Sequence, residues 1–147
     1  VFKSAYFKSL PLNVILFVAA LIYALIMGFL LFHRPRYYGD GFMYNLVPFQ
    51  TIKQYIFSRN HYNSDIWVKN LFGNIVLFIP IGIFLPMLQP FFRKGFVLLI
   101  ATIVLITGVE LTQMLTRVGS FDIDDIILNT FGAMAGLLLI KAVFRRY

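Results

Sequence analysis

The chain contains no cysteine in 147 residues, which excludes disulfides, thiolate metal sites and cysteine nucleophiles. Acid is scarce as well: six Asp and Glu stand against thirteen Lys and Arg, and Glu110 is the sole glutamate. The two histidines, His33 and His61, lack metal-ligand spacing and read as polar groups in interfacial loops. No Ser-His or Cys-His pair, phosphate-binding glycine loop or nucleotide motif occurs, which argues against standard hydrolase chemistry and ATP-driven transport.

What the chain has in abundance is apolar length. Hydrophobic side chains make up 60% of it and mean hydropathy is +0.82, beyond the range of ordinary soluble domains. Four runs, 12–32, 70–88, 95–115 and 125–144, are nearly free of charge, and each approaches the roughly 20 residues that cross about 30 Å of hydrocarbon. The expected fold is an all-α integral membrane domain spanning 1–147. It has four transmembrane helices and an interfacial or re-entrant helix between the first two. The first run exceeds the apolar part of a secretory signal and no small-residue cleavage site follows it, so it is expected to be retained.

A formal charge of +7 invites a nucleic-acid reading. The basic residues, however, sit at helix ends instead of on one polar face, so membrane lipids are the expected partner and nucleic acid is not. Lys3, Lys8, Arg93, Lys94, Lys141, Arg145 and Arg146 share one side, whereas Arg34, Arg36, Lys53, Arg59, Lys69 and Arg117 share the other. Short segments weigh most in the positive-inside rule, and they predict that both termini are cytoplasmic.

Segment 33–69 is dense in aromatic residues, among them Tyr37, Tyr38, Phe42, Tyr44, Phe49, Tyr55, Phe57, Tyr62 and Trp67. Rings in that density suit headgroup depth. Pro48 is expected to open a short helix running to about residue 58, with turns at Tyr38-Gly39-Asp40-Gly41 before it and at 59–65 after it. In the second span Asn70 and Asn74 share a face. Pro80 predicts a kink there, and Pro86 and Pro90 predict the helix end.

Helical arithmetic gathers Thr107, Glu110, Gln113 and Arg117 on one broad face of the third span. It places Asp125, Asn129, Gly132 and Gly136 within about 60° on the fourth. Chain direction then carries Asn70, Asn74, Glu110, Gln113, Asp122, Asp125 and Asn129 to one end of the bundle, whichever way the protein is inserted. Three polar stripes at one depth predict a shared cavity, because lipid penalises any stripe left facing it.

Plainer roles compete for each residue. Asp122 or Asp124 suits the N-cap of the last helix, Gly132-x-x-x-Gly136 suits a close-packing seam, and the asparagines suit interhelical hydrogen bonds. Glu110 could pair with Arg117 or Lys53. Two functional chemistries also fit. Acids held in different protonation states perform general acid-base catalysis, and the same oxygens suit a hard divalent cation.

Four segments, Asn45–Ile52, Asn70–Gly82, Glu110–Gln113 and Phe121–Gly132, closely resemble in order and spacing the VanZ-like family. These are small bacterial membrane proteins, several of them associated with reduced susceptibility to teicoplanin in Gram-positive bacteria. The resemblance implies a multi-pass protein of the bacterial cell membrane with a cell-envelope role. It puts the family's polar positions at Asn70, Asn74, Glu110, Gln113, Asp122, Asp125 and Asn129. Some members carry an arginine directly before the Phe-Asp pair, where this chain has Val118-Gly119-Ser120 and an earlier Arg117.

The expected function is therefore binding of a lipid-linked envelope precursor or a lipoglycopeptide at the outer leaflet. Asn70, Asn74, Gln113, Arg117, Asn129 and Lys53 are the candidate ligand-binding residues. The alternative is an intramembrane enzyme using Glu110 with Asp122 or Asp125 on a lipid-linked glycan or phosphate substrate. A third reading is a transport or structural module whose acids handle an ion.

Overall fold

The computed structural model describes residues 10–57 and 64–145, with side chains over 10–57 and 71–144. The helices, in chain order, are α1 (Leu10–Phe32), α2 (Gln50–Phe57), α3 (Ser64–Leu88), α4 (Gly95–Leu115) and α5 (Ile123–Arg145). A 3-10 turn over Pro90–Arg93 lies between α3 and α4, and two-residue strands β1 (Tyr44–Asn45) and β2 (Phe121–Asp122) pair in parallel. Four helices are long and apolar enough to cross a membrane: Leu10–Phe32, Leu71–Leu88, Gly95–Leu115 and Ile123–Phe144. The chain is thus an all-α, multi-pass membrane protein.

The α3–α5 pair is the tightest seam, and glycine makes it so. A Cβ at Gly132 would collide with the Ile75 carbonyl, one at Gly136 with the Ile79 carbonyl, and one at Gly82 with the Ala133 carbonyl. Contacts that advance by four residues on both helices mean that α3 and α5 run parallel. Lipid tails are as apolar as leucine, so close backbone approach is what holds such a pair. The Gly132-x-x-x-Gly136 spacing therefore performs the packing role expected of it.

α4 closes over this pair along the stripe Leu98, Thr102, Ile106, Glu110 and Gln113. One core cluster joins Met27, Phe78 and Ile106, with Tyr23, Leu77 and Ile126 against it, and a second joins Leu98, Leu137 and Ile140. α1 is held more lightly, Met27 being its one buried residue. It is fixed by Tyr23 Oη donating to the Leu77 carbonyl at 2.6 Å and by Gln113 Nε2 donating to the Leu31 carbonyl at 2.8 Å.

One local expectation needs correction. The short helix starts at Gln50 instead of Pro48, because Phe49 takes a left-handed φ of 64° that no helical turn accommodates. α3 ends at Leu88, as expected of the 70–88 span, with Pro86 inside its last turn. Neighbouring helices let a membrane helix tolerate a lost backbone donor, and Pro86 is fully buried.

Most of the turn expected over 59–65, together with His61 and Tyr62, lies outside the described residues, although Ser64 and Asp65 already belong to α3. The side chains of Trp67, Lys69 and Asn70 lie outside them too.

Candidate functional site

Polarity concentrates where α1 and α4 end and α3 and α5 begin. The organising group is the entry to α5, Phe121-Asp122-Ile123-Asp124-Asp125. Asp122 Oδ1 accepts the Asp124 amide at 2.9 Å, the N-cap bond of α5. The same carboxylate accepts Asn45 Nδ2 at 3.2 Å and Thr51 Oγ1 at 2.7 Å, while Asn45 Nδ2 also reaches Thr51 Oγ1 at 2.9 Å. Asp122 is thus an internal capping acid with both oxygens in use.

Asp124 caps a helix too, but not its own. Its Oδ1 accepts the Phe49 amide at 2.5 Å, and its Oδ2 accepts Thr51 and Ile52 at 2.8 and 3.1 Å. The Thr51 and Ile52 amides belong to the first turn of α2, whose orphan donors would otherwise lack partners, and the Phe49 amide directly precedes it. A fully buried carboxylate from the start of α5 therefore holds the N-terminus of α2. The cap expected at Asp122 or Asp124 is divided between them, with Asp122 serving α5.

Glu110 is 3% exposed, and its Oε2 accepts the Asp122 amide at 3.1 Å. It thereby ties the end of α4 to β2. Asp125 accepts Asn74 Nδ2 at 2.6 Å, joining α5 to α3. Asp122, Asp125 and Arg34 all lie within electrostatic reach of Glu110, and Arg34 reaches Asp125 as well. Among the described residues the neighbouring cation is therefore Arg34, just beyond α1, and not Arg117 or Lys53.

Arg117 has a different task. It follows the end of α4 with φ 61°, its amide bonding Met114 O at 3.1 Å while Val118 N bonds Gln113 O at 3.0 Å. That is a Schellman ending with arginine in the position glycine usually takes. The guanidinium donates to Gly39 O at 3.2 Å and lies 5.9 Å from the Phe42 ring centroid. Tyr37 N donates to Arg117 O at 3.0 Å, so Arg117 pins the loop 37–42. Lys53 sits exposed on α2.

The structure therefore brings together Asn74, Glu110, Gln113, Asp122 and Asp125, and it places Arg117 and Lys53 at the periphery. Asn129 is 3% exposed one turn deeper, and its Oδ1 has no partner among the described residues. Asn45, Thr51 and Arg34 carry contacts that sequence reasoning did not assign. Asn45 and Thr51 lie within a quoted motif, and the ending of the first span beside the acids was the available signal for Arg34. Among the described residues no three His, Asp or Glu side chains form a group that could hold a metal ion.

The polar residues are packed against one another, and the apolar cavities have other linings. A groove of about 320 Å³ between α1, α3 and α4 is lined by Tyr23, Met27, Gly28, Leu31, Phe84 and Val109 among others. It extends along α1 from Ala20 to Phe32, a rise of about 18 Å along the helix. Its upper end is two residues from Arg34. A second apolar cavity, about 380 Å³, lies between α4 and α5 and includes Thr130 in its wall.

Among known proteins, a family model described as VanZ/LLP1 matches residues 13–145, nearly the whole chain. Searches of curated proteins and of solved structures returned no match.

Proposed function

The chain belongs to the VanZ/LLP1 family, and from that premise we propose that it is a cell-envelope protein of the bacterial membrane that lowers susceptibility to teicoplanin-type lipoglycopeptides by binding a lipid-linked or lipidated ligand. The observation that carries this reading is the apolar α1–α3–α4 groove, whose α1 wall ends at Phe32, two residues before Arg34. This apolar trough, about 18 Å long, runs to Leu31 and Phe32 on α1 and includes Val109, the neighbour of Glu110 in sequence, in its α4 wall.

A chain moving from bilayer to groove gains little hydrophobic free energy, because both surroundings are apolar. The groove thus selects shape, and recognition falls to the charged end. There Arg34 offers a cation to a phosphate or carboxylate, and Glu110 and Asp125 offer acceptors to sugar hydroxyls or an ammonium group. With the termini in the cytoplasm this end faces outward, the side on which a lipoglycopeptide arrives. The exposed Tyr38, Phe42 and Tyr44 suit that interface.

The test is the teicoplanin susceptibility of a sensitive Gram-positive host expressing the protein, with Glu110→Gln and Gly28→Leu compared at equal membrane abundance. Gln keeps an acceptor for the Asp122 amide, and a Cβ at Gly28 meets open space, so both variants should insert. Loss of protection in both supports the reading; full protection in both refutes it. Turnover of a lipid-linked glycan or phosphate carrier by purified protein, abolished in Glu110→Gln, would make the site catalytic instead.

A further inference from the structure

The opposite end of the bundle carries a second built feature. A cavity of about 390 Å³ opens between the start of α1 and the end of α3, lined by Asn13, Val14, Phe17, Met87, Leu88, Pro90 and Arg93. Its walls are apolar apart from Asn13 and Arg93. The Arg93 guanidinium is set in place by Nε donating at 3.0 Å to the carbonyl of the fully buried Pro86.

Among the described residues, charge at this end has one sign. Arg93 and Lys94 occupy the α3–α4 connection and Lys141 lies on the last turns of α5, whereas the acids at described positions, Asp40, Asp65, Glu110, Asp122, Asp124 and Asp125, all belong to the other end. α1 leaves this space unfilled, since Val14 and Phe17 are 53% and 61% exposed. An apolar slot roofed by a fixed guanidinium and an amide, in a basic rim at the membrane surface, matches one ligand: a phosphodiester headgroup with acyl chains below it.

We propose that this cavity binds an anionic phospholipid, its phosphate on Arg93 and Asn13 and a chain along Val14, Phe17 and Met87, so that the lipid serves as mortar between α1 and the α3–α4 connection. The site is separate from the groove that carries the proposed function, sharing only Leu88 with it. It predicts that α1 docks more firmly in membranes rich in acidic lipid.

The experiment uses the full chain in detergent, with phosphatidylglycerol or phosphatidylcholine added. Retained lipid is read by native mass spectrometry and the melting temperature is followed in parallel. Wild type is expected to hold phosphatidylglycerol in preference and to melt higher with it. Arg93→Gln should weaken that binding by about fivefold or more, the worth of one interfacial charge. Arg36→Gln, at the other end, should leave it unchanged.

Val14→Phe fills the cavity without touching the guanidinium and should also abolish the preference, which decides the matter if Arg93→Gln fails to fold. Glycerol 3-phosphate should not stabilise the protein. Equal retention of the two lipids, equal losses in Arg93→Gln and Arg36→Gln, or stabilisation by the headgroup alone would overturn the proposal.

Discussion

Replacing Asp124 by Asn should free α2 from the bundle while leaving the four spans assembled. The carboxylate receives three backbone amides, from Phe49, Thr51 and Ile52, at 2.5 to 3.1 Å, and it is fully buried. Hydrogen bonds to an ionised group contribute about 1.5–3 kcal/mol each. The Asn carbonyl oxygen still accepts one or two amides, but its NH₂ group turns a donor toward donors. Losing one or two bonds and gaining that mismatch comes to about 3–5 kcal/mol.

Opening of α2 alone would therefore become about two to three and a half orders of magnitude more frequent. Hydrogen exchange followed by mass spectrometry in lipid nanodiscs reads this directly, because the amides of 49–57 should lose protection by that factor while those of 98–113 do not change. Asp124→Ala should resemble Asp124→Asn or exceed it. Unchanged protection of 49–57 in Asp124→Asn would refute the assignment of Asp124 as the cap of α2.

Three further outcomes follow from the packing and the hydrogen bonds. Gly132→Leu or Gly136→Leu should prevent folding, since each side chain would have to pass through an α3 backbone carbonyl; Gly28→Ala, which meets open space, should cost less than about 1 kcal/mol, and folded yield after extraction separates them. Glu110→Ala strands the buried Asp122 amide and should destabilise by about 1–3 kcal/mol, whereas Glu110→Gln should melt near wild type. Arg117→Gly should be close to neutral in melting temperature, because relief of a left-handed residue worth about 1–2 kcal/mol offsets the lost Gly39 contact, while β-branched Arg117→Val should destabilise.

The spans were legible because lipid imposes a length and a polarity on a helix that need no partner to be recognised. The convergence of Asn74, Glu110, Gln113, Asp122 and Asp125 followed from chain direction alone, since antiparallel neighbours must bring these positions to one end. What stayed hidden depends on the irregular linker 33–57. Nothing in Asn45-Leu46-Val47-Pro48-Phe49-Gln50-Thr51 marks Asn45 and Thr51 as partners of Asp122, because the short parallel pairing of Tyr44 with Phe121 and Asn45 with Asp122 joins positions 77 residues apart. The start of α2 was misplaced for a related reason: the left-handed Phe49 is stabilised by an aspartate from a distant helix, which local propensity does not register.

The same geometry divides the acids that looked alike in sequence. Asp122 and Asp124 together accept six hydrogen bonds from protein donors, three from Phe49 and the first turn of α2, one from the start of α5 and two from Asn45 and Thr51. Their replacement should therefore be felt first in folding. Glu110 and Asp125 accept one described bond each, from the Asp122 amide and Asn74, and they share the electrostatic field of Arg34. A ligand at this end must compete with far less protein bonding at Glu110 and Asp125 than at the capping pair. The discriminating comparison is thus Asp122→Asn against Asp125→Asn in the susceptibility and melting assays: the first should lose stability and protection together, the second protection with little loss of stability. The reverse pattern would move the site to the α5 entry and make the groove end structural.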